Sequence, residues 1–327
     1  MQYRRLNHTD LFVSPLCLGT GQFGSNISED IASQQLDEFH DLGGNLIDTA
    51  HVYGNWVEEL ESPSEKIIGR WMKRSGKRNE MIITTKGGHP ELEHMDIYRL
   101  QEKEIVRDIE ESLSYLQTDH IDLFLLHRDD RTIPVERIID CLDTCVAQGK
   151  IRYYGCSNWT LPRIREASIY AKVKGSKGFV ANELMWSLAD INHQGLPDEG
   201  FVPMDRDTYA FHRSKGLNTM AYMSLAKGFF TRKAAGAELP PLISAIYENR
   251  TNTLIYERAC RSMETEEYSF IDLSLHYLMS IKDMPVIPVA GFRTMNQFRE
   301  GMKTLNIQIP ENLLNELAEI KEYVYWE

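Results

Sequence analysis

The stretch IDLFLLH, residues 121–127, decides the reading of the chain. Apart from Asp122 near its start, apolar side chains run unbroken to Leu126 without polar alternation, which describes a short strand covered on both faces, as in a parallel sheet. It ends on an ionisable residue, His127. Upstream, MIITTK at 81–86 has the same form and ends on Lys86, and LIDTA at 46–50 carries Asp48. Further segments at 16–19, 151–157, 180–184, 219–225 and 285–290 bring the predicted strands to eight. Helical patterns lie between and after them, at 30–41, 64–74, 104–116, 135–148, 162–174, 207–215, 268–281 and 295–303. Thr160 before Leu161-Pro162 is a helix start, and Gly149 and Gly216 stand where helices stop. Eight strands alternating with eight helices predict a (β/α)8 TIM barrel occupying residues 1–327 as one domain.

The segment before the first barrel strand, residues 3–15, is expected to form a β-hairpin closing the barrel bottom. GTGQFG at 19–24 matches the letters of a dinucleotide loop, but no ribose-binding acid follows a second strand, so a doubly wound open sheet is the lesser alternative. Two long connections, 187–205 and 226–267, follow strands and are lid candidates. The sequence ends soon after Trp326, so no long C-terminal specificity loop is expected.

Charge and composition narrow the function. A net charge of −12 argues against nucleic acid as a partner, since phosphate neutralisation needs clustered Lys and Arg. No stretch approaches the roughly 20 apolar residues of a membrane span, and the N-terminus lacks an apolar signal core. A cytoplasmic protein is the expectation. The five cysteines, Cys17, Cys141, Cys145, Cys156 and Cys260, show no CxxC and no nearby His or Cys to complete a zinc site. They are expected as reduced thiols, and no metal is expected.

The polar residues fall at strand ends. Asp48, Lys86 and His127 end the second, third and fourth strands, Ser157 and Asn158 the fifth, and Glu183 is near the end of the sixth. One ionisable residue capping an apolar strand is an ordinary structural polar group. Several on consecutive strands converge on one mouth of a barrel, where side chains meet.

At this point the chain resembles the aldo-keto reductases. The resemblance rests on GGNLIDTAHVYGN with SEKIIGRWM, IITTKGG, LxxDxxDLFLLH at 116–127, GCSNW at 155–159, and PVIPVAGFRT followed by QFRE, in order from about residue 3 to about residue 323. It implies an NADPH-dependent oxidoreductase interconverting alcohols with aldehydes, ketones or sugar derivatives. Tyr53 would be the general acid and base. Lys86 would lower its pKa, Asp48 would hold Lys86 charged, and His127 would donate to the carbonyl oxygen or to Tyr53. Ser157 and Asn158 would hold the nicotinamide carboxamide. Trp186 would stack on the ring. Ser224, Leu225 and Gly228 would face the pyrophosphate, and Lys227 is a second phosphate candidate. Gly291, Arg293, Gln297 and Glu300 would surround the adenosine end, with Arg293 on a 2′-phosphate, which favours NADP over NAD.

Four positions depart from the family pattern. Glu183 stands where Gln is usual, Trp186 where the aromatic is often Tyr, and Gln297 and Gly301 replace a common Arg and Asn. A carboxylate at Glu183 only accepts hydrogen bonds and would favour the oxidised cofactor, unless a nearby base or a proton neutralises it. Phe23, Trp56, His89 and Trp159 are expected to line the substrate mouth. Arg128, Asp129 and Asp130 either contact substrate hydroxyls or form a solvated loop. Two other functions remain open. One is an NADP-binding sensor or partner subunit with little turnover; the other is a Schiff-base barrel using Lys86. The oligomeric state is not legible.

Overall fold

The computed structural model describes residues 2–264 and 266–323; Trp326, with the rest of the tail beyond residue 323, lies outside the described residues. Strands β1 (Arg4–Arg5) and β2 (Phe12–Val13) form an antiparallel hairpin. Then follow β3 (Cys17–Gly19), α1 (Glu29–Asp41), β4 (Leu46–Asp48), α2 (Pro63–Ser75), β5 (Ile82–Gly87), α3 (Glu102–Leu116), β6 (Ile121–Leu126), α4 (Val135–Ala147), β7 (Ile151–Ser157), α5 (Leu161–Lys174), β8 (Ala181–Met185), α6 (Arg206–Lys215) and β9 (Asn218–Tyr222). The connection after β9 folds into α7 (Phe229–Ala234), α8 (Pro241–Tyr247) and α9 (Arg250–Met263). The chain continues through α10 (Phe270–Met279), β10 (Val286–Ala290), α11 (Met295–Lys303) and α12 (Glu311–Tyr323). Strands β3 to β10 are parallel and close into a barrel, with β10 pairing β3. The predicted TIM barrel is therefore the observed one.

Strand alternation sorts every strand residue to one of two layers. Leu46, Ile82, Leu123, Leu125, Ala181, Met220, Ile287 and Val289 share the barrel interior with Leu6, Leu11 and Val13 of the hairpin. The hairpin thus plugs the bottom, as its sequence predicts. The alternate residues Ile47, Ile83, Phe124 and Leu126 pack outward against the helices. Counting in twos from the interior set carries Asp48, Lys86, His127, Glu183 and Tyr222 inward at the upper end.

Helix ends follow local chemistry. Ser28 caps α1 by accepting from the Ile31 amide, and α6 stops at Gly216, whose φ of 61° suits a residue without Cβ. At the far end of the chain, the Lys321 ammonium on α12 donates to the Ser187 carbonyl at 2.8 Å, tying down the loop after β8. All five cysteines are free, and only Cys260 on α9 is not buried. Among the described residues no helix is long and apolar enough to cross a membrane.

Candidate active site

Lys86 is the centre of the upper barrel. Its side chain is 0% exposed, and its ammonium donates to Asp48 Oδ1 at 2.6 Å, the Thr49 carbonyl at 2.9 Å and the Tyr53 hydroxyl at 3.2 Å. Glu183 Oε2 lies 3.4 Å away. Burial alone would strip the proton from this amine. The Asp48 carboxylate and then Glu183 outweigh it and hold Lys86 well above the usual lysine range.

Two carboxyl groups around one ammonium leave an excess of acid. Burial, and next the Asp48 charge, push Glu183 well above the ordinary carboxyl range. Asp48 is itself raised, chiefly by burial, against the lowering pull of Lys86. Glu183 therefore sits 3.4 Å from the Lys86 ammonium with its acidity depressed.

Tyr53 comes from the turn after β4, where its amide donates to the Ala50 carbonyl at 3.0 Å. Its ring lies 4.9 Å from the Lys86 ammonium and edge-on to His127 at 5.8 Å. Lys86 does pull the phenol pKa down, as the sequence leads one to expect, but it does not decide the net shift. Burial raises it, Lys86 lowers it, and Asp48 and Glu183 raise it again, for a net rise. The imidazole of His127 is pushed well below its usual value by burial, then by His89, Lys86 and Arg128. It is a neutral ring near pH 7, and its buried Nδ1 has no hydrogen-bond partner. His89 meets it edge-on at 4.8 Å and is itself lowered to about 4, mainly by burial.

Beside this group, Asn158 holds a left-handed φ of 60° at the end of β7. Its Oδ1 accepts from the Tyr222 hydroxyl at 2.7 Å and the Val202 amide at 3.3 Å, and its Nδ2 donates to Ser157 Oγ at 3.1 Å. The aromatic expected here, Trp186, is elsewhere. It packs with Leu184, Leu278 and Val286 outside the barrel, edge-on to Tyr209 at 5.9 Å and Tyr277 at 6.4 Å. Residue 186 shares the parity of Leu184, which faces out; Tyr222 on β9 has the inward parity and was missed. The signal that finds it is the count of two from Met220.

On the far side of the mouth, Ser224 donates to the Val289 carbonyl at 2.7 Å. Leu225 is half-buried, and Gly228 adopts φ of 77° at the start of α7. Lys227 is exposed and lies near the Arg293 cation. Neither Lys227 nor Arg293 has an ion-pair partner among the described residues. Gly291 sits against Gly19, where a Cβ would come within 2.9 Å of the Gly19 carbonyl oxygen. Thr294 caps α11, and Gln297 Oε1 accepts from the Arg293 amide at 3.1 Å, while Glu300 is exposed. Two like charges beside a helix N-terminus, without a carboxylate to pair them, fit a polyanionic group.

Two of the expected mouth residues lie elsewhere. Phe23 and Trp159 are fully buried in the layer between barrel and helices, and Trp159 Nε1 donates to the Arg128 carbonyl. Trp56 is exposed. The 128–130 segment is not a solvated loop: Asp129 pairs with Arg163 at 3.0 Å, Asp130 accepts from Thr132, and Arg128 is buried.

The described architecture matches known proteins closely enough to place it. The family model named Aldo/keto reductase family matches residues 15–322. The uncharacterized oxidoreductase YrpG of Bacillus subtilis is 30% identical, over 98% of this chain and 96% of its own. Norsolorinic acid reductase stcV of Emericella nidulans is 26% identical, over 94% of this chain and 78% of its own. The crystal structure of the thermostable aldo-keto reductase Tm1743 with the inhibitor epalrestat superposes with a TM-score of 0.70 at 23% identity, over 98% of this chain and 100% of that one, a likeness of fold.

Proposed function

The chain belongs to the aldo/keto reductase family, whose oxidoreductases interconvert carbonyls and alcohols, and we propose that it does so with NADPH and with Tyr53 as general acid and base. The observation that supports this most directly is the Lys86 ammonium bonded at once to Asp48 and to the Tyr53 hydroxyl. NADPH supplies the hydride when bound. Everything else falls to the chain's own side chains.

Tyr53 gives its phenolic proton to the carbonyl oxygen. In the resting protein burial keeps that proton on. As negative charge grows on the phenolic oxygen, the ammonium 3.2 Å away stabilises it inside a low-dielectric interior, where the attraction is strong. Asp48 keeps Lys86 charged and aimed. Neutral His127 offers an N–H to the same oxygen and polarises the carbonyl without carrying a charge of its own. In the reverse direction the phenolate takes the alcohol proton back.

Ser157, Asn158 and Glu183 are proposed to face the carboxamide, with Tyr222 rather than Trp186 supplying an aromatic face. Ser224, Leu225, Gly228 and Lys227 are proposed at the pyrophosphate. Gly291, Arg293, Gln297 and Glu300 are proposed at the adenosine end, where the unpaired Arg293 supports NADP over NAD. Free, mostly buried thiols suit a reducing, cytoplasmic setting.

The test is NADPH-dependent reduction of an activated aldehyde by wild type and Tyr53→Phe. Turnover should fall by about 10²–10⁴-fold while NADPH still binds. Retained turnover in the variant removes Tyr53 from the role. Tight NADPH retention without turnover across a carbonyl panel would instead mark a cofactor-binding partner subunit. Dissociation constants for NADPH and NADH decide the cofactor.

A further inference from the structure

Arg128 is a buried cation with no assigned task. It follows His127 directly, is 8% exposed, and its Nη1 has no hydrogen-bond partner. No ion pair reaches it among the described residues. Its sequence neighbours are spent elsewhere, Asp129 on Arg163 and Asp130 on Thr132. Burying an unpaired guanidinium is costly, and folded chains rarely retain one without a partner.

Its surroundings define a cradle. The guanidinium carbon lies 5.0 Å from the Phe201 ring centroid. The backbone at Gly200 comes so close that a Cβ there would lie 2.5 Å from Nη1. Asp198 Oδ1 approaches the same point, 2.7 Å from that Cβ position, but accepts from the Gly200 amide at 2.7 Å and forms no ion pair with Arg128. The next residue pair of the same loop ties it to the mouth, since the Val202 amide donates to Asn158. The Arg128 charge is felt by His127, His89 and Tyr222, all of which border the mouth.

We propose that Arg128 binds an oxoanion carried by the substrate itself, so that the preferred carbonyl compound bears a carboxylate or a phosphate a few atoms from its reacting carbon. This rests on the carbonyl-reducing reading of the site. A guanidinium offers a planar fork that matches either oxoanion, and Phe201 and the Gly200 backbone hold that fork in place. The anion would supply the hydrogen-bond acceptor that Nη1 lacks. It would also fix the distance from the anionic end to Tyr53, selecting for chain length.

The experiment compares matched pairs with the NADPH-loaded enzyme: 4-oxobutanoate against butanal, and glyceraldehyde 3-phosphate against glyceraldehyde. The readout is the ratio of kcat/KM, anionic over neutral, in wild type, Arg128→Gln and Arg128→Lys. We expect wild type to favour at least one anionic member, Arg128→Gln to lower that ratio roughly tenfold to a hundredfold, and Arg128→Lys to restore part of it. The favoured pair tells carboxylate from phosphate. An unaltered ratio in Arg128→Gln, or no anionic preference in wild type, overturns the proposal. If nothing is turned over, the carbonyl reading has failed separately. Calorimetric titration with succinate and with inorganic phosphate then decides: weaker binding in Arg128→Gln supports the anion site, and equal or absent binding in wild type overturns it.

Discussion

Glu183 faces Lys86 across 3.4 Å in an interior that already holds Asp48. The consequence for stability has a definite sign. The folded protein holds the Glu183 proton to higher pH than the unfolded chain, whose glutamates titrate near about 4.3. Above that pH the native state binds more protons than the unfolded state, so stability falls as pH rises until the raised native value is passed. Glu183→Gln removes this loss. Its melting temperature should exceed that of wild type at pH 8 and converge on it near pH 4; a gap that widens on acidification would contradict the assignment. The same substitution tests redox preference, because a charged Glu183 would shift the ratio of NADP+ to NADPH affinity and a neutral one would leave it unmoved. Lys86→Met should cost about 3–5 kcal/mol in chemical denaturation, since Asp48 is left buried without its partner. Identity and position of Asp48, Tyr53, Lys86 and His127 are plain in the sequence. The net upward shift of Tyr53 is not, because burial outweighs Lys86 and burial depends on the whole fold.

At the scale of the element, β8 shows how little separates an inward-facing residue from a helix-packing residue. Glu183 and Trp186 are three apart, so they take opposite parities and opposite faces. Trp186→Ala should therefore destabilise the protein by about 3–5 kcal/mol, measured by denaturant titration, while the NADPH dissociation constant of the folded fraction is unchanged. A large loss of NADPH affinity would return Trp186 to the site. Parity was available in the sequence here, since the inward set can be counted from Ala181. The burial of Arg128 was not. It depends on residues 200–202 folding back across some seventy positions of chain. Likewise α7, α8 and α9 lie in a connection that reads as a long loop. The two short ones, α7 and α8, form because Phe229, Phe230, Ile243, Ile246 and Tyr247 bury themselves against the barrel top, a tertiary cause.

The whole molecule divides its duties between its two ends. The hairpin closes the bottom with Leu6, Leu11 and Val13, while the polar side chains gather at the top. Leu11→Ala should cost about 2–5 kcal/mol in urea unfolding and leave KM for both substrates where it was, because no bottom residue touches the mouth. A changed KM would mean the two ends communicate. The strand count, barrel closure and bottom plug were all legible, since each follows from runs of apolar residues and from order along the chain. The thiols of this architecture offer a practical handle. Four of the five lie in packed layers and Cys260 alone meets solvent, on α9. A maleimide dye should couple to one position in the native protein and to five after denaturation. That one position lies where α9 packs against the cluster holding Leu313 and Leu317 of α12, so a fluorophore there reports on this contact without any engineered cysteine.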